Sequence, residues 1–150
     1  KVKASILDRI PKGELEQKRR GVVKKKNFSI PIKPLTNHEL VHYARLLKIP
    51  NFRGVYMRDS LPRRPRQYES VIVNLDNSFG DGTHWVCYKK RKNKVEYFDS
   101  FGNLRPPTEL VSYLGSGVSI RYNYERRQNE NSVVCGHLCL KFLSSKNVLS

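Results

Sequence analysis

The stretch Gly82-Thr-His-Trp-Val-Cys-Tyr-Lys-Lys-Arg-Lys-Asn-Lys-Val-Glu-Tyr-Phe-Asp-Ser100 decides how the rest of the chain is read. It holds two runs, Thr83–Lys89 and Lys94–Asp99, rich in Val, Tyr, Phe and Trp, whose branched or aromatic side chains suit a pleated surface. A charged turn around Arg91–Asn93 separates them, so the pair reads as an antiparallel hairpin. A third such run, Ser70–Leu75, precedes it, and the three together predict an antiparallel meander. In that hairpin His84 lies within one strand and Asp99 at the end of the next, where both can reach one end of the sheet. Strand alternation leaves open which face each side chain takes.

Working outward, Thr36-Asn-His-Glu39 has capping-box spacing, and Leu40, Val41, Ala44, Leu46 and Leu47 follow with helical recurrence up to Pro50. This predicts a helix carrying His38 and His42. Leu61-Pro-Arg-Arg-Pro-Arg66 reads as a basic surface loop. Beyond the hairpin, a helix is expected near Pro107–Leu114, stopped by Gly115, and a strand near Val118–Tyr124. The apolar stretch from Val133 to about Leu143 predicts a buried helix beginning at Cys135 and carrying Cys139 one turn later. The expected class is therefore α+β, a central mixed, largely antiparallel sheet packed against helices.

Composition narrows the classes of function. One hundred and fifty residues suit one domain with a proper core. The 29 Lys+Arg against 13 Asp+Glu give a formal charge of +16, yet 38% of residues are hydrophobic, which excludes an acidic disordered chain. Residues 1–26 hold ten Lys/Arg and three acids, including the run Lys18-Arg-Arg-Gly-Val-Val-Lys-Lys-Lys26. Residues 1–33 are read as a basic arm, either a solvated terminus, a nucleic-acid contact or a nuclear address, and 34–150 as the globular domain. No apolar run approaches the roughly 18 to 20 residues needed to span a bilayer, so no membrane partner is expected. Three cysteines cannot all pair internally, which favours free thiols in a reducing compartment.

His84, Asp99, Gln128 and Cys135 each have an ordinary structural reading. A Cys in an apolar helix is usually core, and an Asp at a strand end is usually a turn former. Together they describe a reaction. A thiol attacks a carbonyl only as thiolate, and an unperturbed one, near pKa about 8.5, is mostly protonated at neutral pH. Cys135 at a helix start would meet the positive end of the backbone dipoles, and an adjacent His84 would hold its proton. Asp99 could then fix the imidazole from its other nitrogen. The Gln128 amide, or its neighbours Asn129 and Asn131, could donate to the developing oxyanion together with the backbone N–H of Cys135 or Gly136. Cys135, His137 and Cys139 lack a second ligand pair, so no metal is expected.

The segments Gly82-Thr-His-Trp-Val86, Tyr97-Phe-Asp-Ser-Phe-Gly102 and Val133-Val-Cys-Gly-His-Leu-Cys139, with Gln128 seven positions before Cys135, resemble the adenovirus-type cysteine protease (adenain) family. Ile49-Pro-Asn-Phe-Arg-Gly-Val-Tyr56 and Val71-Ile-Val-Asn-Leu-Asp76 look most like the proteases of Maverick/Polinton virus-like transposons. The similarity spans roughly residues 34–143. It implies a papain-related, adenain-like fold with the nucleophile at the N-terminus of a buried helix. It also implies an endopeptidase that matures capsid or virion precursors at glycine-containing sites. His84, Asp99 and Cys135 would form the triad, Gln128 would donate to the oxyanion, and Trp85 and Gly136 would contact substrate, the indole roofing a channel narrow enough to select glycine. Viral DNA is a family cofactor, so DNA as a non-specific electrostatic activator is a further expectation that the charge suits. The nucleus or a virion-like particle inside the host cell is the location implied.

Two departures matter. Adenoviral members place a Glu where this chain has Asp99, and no cysteine lies between 100 and 134 to hold a disulfide-linked activating peptide. A deconjugase for a ubiquitin-like modifier would use the same residues on Gly-Gly tails. A pseudoprotease serving as a capsid or scaffold component, and a non-catalytic basic nucleic-acid-binding module, are the readings from other classes. The last lacks any recognised nucleic-acid motif.

Overall fold

The computed structural model describes residues 29–76, 84–102, 105–123 and 133–145. Helix α1 (Asn37–Leu46) starts as its capping box dictates. Thr36 Oγ1 accepts from Glu39 N at 3.1 Å, and Glu39 Oε1 accepts from Thr36 N at 2.9 Å, so two of the orphan donors at the helix start are satisfied reciprocally. The chain continues through β1 (Phe52–Met57), β2 (Tyr68–Asn74), β3 (Trp85–Arg91), β4 (Lys94–Phe98), α2 (Thr108–Leu114), β5 (Ser119–Tyr122) and α3 (Cys135–Ser144).

The strands form one sheet in chain order, β1-β2-β3-β4-β5. The expected meander is its centre: β2 pairs antiparallel with β3, and β3 with β4. Both edges are parallel, β1 on β2 and β5 on β4, so the fold is α+β with a mixed sheet. Strand β1 has no counterpart among the expected elements. Its six residues are all half-buried, Arg53 and Gly54 break any alternation, and its pairing slips between Phe52 and Gly54. Gly54 has φ +155°, and a Cβ there would lie 3.0 to 3.2 Å from the Tyr56 ring.

Alternation along the central strands builds two cores. Ile72, Trp85, Cys87 and Phe98 face α1 and α3, packing on Leu40, Ala44, Cys139 and Leu140. Val71, Val73, Val86, Tyr88, Val95 and Tyr97 face the other way, onto Leu110 and Leu114 of α2. Each such side chain contributes about 1.5 to 3 kcal/mol on full burial. Ile30 and Leu35 also belong to the first core. The packed core therefore includes Ile30, assigned above to the arm; an isolated Ile before a proline carries no periodicity that a sequence reading could detect. No helix among the described residues is long and apolar enough to cross a membrane.

Candidate active site

One end of the sheet gathers the side chains. His84 immediately precedes β3 and is pinned there by its carbonyl, which accepts from Leu75 N at 2.9 Å. Asp99 immediately follows β4. Its backbone is clamped by Asn123, which ends β5: Asp99 N donates to Asn123 Oδ1 at 2.9 Å, and Asn123 Nδ2 donates to the Asp99 carbonyl at 2.7 Å. A tight turn closes over the acid, with Gly102 N donating to the Asp99 carbonyl at 2.8 Å and Phe101 N to Oδ1 at 3.0 Å.

The carboxylate meets the imidazole directly, His84 Nε2 lying 2.8 Å from Asp99 Oδ1. An ionised carboxylate only accepts, so Nε2 donates and Nδ1 is left to exchange a proton with a second group. Cys135 is the candidate for that group, its side chain lying near enough to raise the ring's pKa. Phe101 stacks on the other side, with ring centroids 4.3 Å apart and planes within 7°. His84 is thus fixed by an acid and a stacked ring. Burial alone would push its pKa down, but its hydrogen bond to Asp99 and the nearby Asp99 and Cys135 side chains override this and raise it to about 9.

Cys135 is the first residue of α3, so its sulfur lies at the end where backbone dipoles favour negative charge. Trp85 N approaches the same sulfur at 3.5 Å. The structure therefore brings His84 and Asp99, at the open end of one hairpin, together with Cys135, which begins a helix much later in the chain. Gln128, with Asn129 and Asn131, lies outside the described residues.

Trp85 and Gly136 are placed by packing. Trp85 is 7% exposed, sits in the first core, and donates from Nε1 to the Leu35 carbonyl at 3.1 Å. A Cβ on Gly136 would come within 3.1 Å of Leu40 Cδ2 and 3.4 Å of Trp85 Cδ1, so the missing side chain lets α3 approach α1 and β3. Among the described residues no three His, Cys, Asp or Glu side chains converge as a metal site. His137 instead turns to the Pro31 carbonyl, and Cys139 meets Cys87.

Asn123 and Phe101 are the supporting residues that the sequence reading missed. Phe101 lies inside the segment quoted for the resemblance, so an aromatic two residues after the acid was the available signal. Asn123 had only its position at a strand end.

No family model matches the sequence, and no curated protein matches it. Among solved structures, the chain is similar to the crystal structure of the ASFV pS273R protease, with 17% identity and a TM-score of 0.43, over 88% of this chain and 67% of that one.

Proposed function

We propose that this chain is a cysteine endopeptidase in which Cys135 is the nucleophile, His84 the proton carrier and Asp99 the orienting acid. The observation that carries the reading is Asp99 holding Nε2 of His84 at 2.8 Å, with the Cys135 side chain, at a helix start, near enough to act on the same ring. An imidazole raised to about 9 is protonated at neutral pH, as the acid partner of a thiolate must be.

In the forward step the thiolate forms a bond to the scissile carbonyl carbon, and the carbonyl electron pair moves onto oxygen. Collapse of that intermediate breaks the C–N bond as His84 Nδ1 gives its proton to the leaving amine, leaving a thioester on Cys135. Neutral His84 then takes a proton from water, the hydroxide oxygen attacks the thioester, and the acid product departs with Cys135 again a thiolate beside an imidazolium. The backbone N–H of Cys135 or Gly136, with the Gln128 amide, would stabilise the oxyanion, each donor being worth about 3 kcal/mol of barrier.

The substrate proposed is a glycine-containing site in the capsid or virion precursor of a virus-like element of the Maverick/Polinton kind, acting in the nucleus or a virion-like particle. This rests on the adenain resemblance of Gly82–Val86, Tyr97–Gly102 and Val133–Cys139. DNA as activator rests on the +16 charge and the same resemblance. A fluorogenic glycine-containing peptide, with and without duplex DNA, tests both. Turnover abolished by Cys135→Ala and by His84→Ala supports the peptidase, and turnover surviving either substitution removes it. DNA stimulation that declines steeply with salt supports the activator, and salt-insensitive turnover removes that part alone.

A further inference from the structure

A single short segment grips both halves of the proposed catalytic pair. Residues 29–35 have no regular secondary structure and bury Ile30 and Leu35 in the core that contains Cys135. His137, two residues beyond Cys135, lies 2.7 Å through Nε2 from the Pro31 carbonyl. A carbonyl only accepts, so Nε2 donates. Trp85, the residue after His84, donates from Nε1 to the Leu35 carbonyl at 3.1 Å. The helix bearing the sulfur and the strand that begins just after the imidazole are thus tied to points four residues apart on one strap.

That strap is stiff. Pro31 and Pro34 lock their own φ angles and bias Ile30 and Lys33 towards extended backbone, and Lys33 N closes onto the Pro31 carbonyl at 3.0 Å. His137 is also a costly way to fill a core position. It is completely buried, and its Nδ1 has no hydrogen-bond partner among the described residues. An aliphatic side chain would leave no polar atom stranded there, so packing alone does not account for an imidazole. Among the described residues its hydrogen bond is the one to the strap.

We propose, resting on the peptidase reading above, that His137 is a positioning residue: through Pro31 it holds α3 against the strap at the setting where Cys135 meets His84. The device works with a neutral ring. Protonation would place an N–H and a charge on the stranded Nδ1. Burial opposes that charge, the Pro31 carbonyl favours it, Lys33 opposes it and Glu39 favours it, and the balance lowers the His137 pKa. Acid therefore loosens the strap at a point separate from the catalytic pair.

The test needs no substrate. The rate of iodoacetamide alkylation at Cys135 is followed by mass spectrometry across pH in the full chain, for wild type, His137→Phe and His137→Gln. Labelling of the fully buried Cys87 and Cys139 serves as the folding control. His137→Phe, folded, is expected to slow Cys135 labelling at neutral pH about tenfold. His137→Gln retains an N–H donor but cannot be protonated, so it is expected to recover most of the rate and to hold it at lower pH than wild type. A wild-type rate and pH profile in folded His137→Phe overturns the proposal. Should Cys87 and Cys139 label readily in that variant, Trp85→Phe, which deletes the other tether's donor and keeps a ring, replaces it with the same expected loss and the same overturning result. His84→Ala, run in parallel, separates the two readings: a wild-type rate there defeats the peptidase reading, whereas a wild-type rate confined to the strap variants defeats only the strap.

Discussion

Desolvation at the mouth of β3 works against a charged His84, and the Asp99 and Cys135 side chains reverse the outcome, raising the ring to about 9. Because the folded pKa lies above the ordinary histidine value of about 6.5, the stability it contributes is complete below that value and is lost as pH rises through about 9. Catalysis shares the alkaline limit. kcat/KM is expected to fall as pH rises through about 9, and Asp99→Asn is expected to draw that limb back towards 6.5 while lowering kcat by about 10²-fold. A pH–rate profile of both proteins checks this, and an unmoved alkaline limb in Asp99→Asn would show that the carboxylate does not tune the ring. His84, Asp99 and Cys135 were legible in the sequence because a reaction demands their types together. Phe101 and Asn123 were not, since each acts through a contact whose partner only the fold supplies.

Helix α3 shows how an element positions the sulfur. Gly136→Ala sets two effects against each other: a helical alanine gains up to about 1 kcal/mol over glycine, whereas overpacking a core costs about 1 to 3 kcal/mol. The new Cβ would press on Leu40, which is fully buried, and on Trp85, whose indole is held by its bond to Leu35. Neither neighbour has room to give, so the packing term wins and a net loss of about 1 kcal/mol is expected. Denaturant unfolding measures it, and a stabilised variant would mean that α3 shifts freely. Among the elements, α1 announced itself by its capping box and β2 to β4 by their apolar runs. Strand β1 stayed hidden because a half-buried parallel edge strand containing Arg53 and Gly54 has no period to read.

Among the described residues, the candidate site and the main buried polar hub occupy opposite ends of the sheet. Where β2 begins, the fully buried Glu69 accepts from Arg53 at 2.8 Å, Tyr88 at 2.7 Å and Tyr113 at 2.9 Å, joining β1, β3 and α2 around one carboxylate. Burial raises its pKa, but the hydrogen bonds from Tyr88, Arg53, Arg66 N and Tyr113 more than reverse this and leave it lowered. Glu69→Ala strands those donors and is expected to cost about 3 kcal/mol or more of stability with kcat unchanged in the folded fraction. A small shift in the unfolding midpoint would contradict the idea that this hub ties the layers together. The sheet packed against helices was expected from the apolar runs, whereas the facing of each strand, the parallel edges and this hub depend on long-range pairing that local sequence does not encode.

The peptidase account is tested most directly by a peptide whose terminal glycine carries an α,β-unsaturated methyl ester in place of its carboxyl group, a Michael acceptor to whose β-carbon an attacking thiolate adds without a leaving group, with intact mass and peptide mapping as the readout. One adduct per chain, on Cys135, lost in His84→Ala, is the predicted result. Adducts spread evenly over Cys87, Cys135 and Cys139, or an adduct on Cys135 that forms equally well without His84, would contradict it.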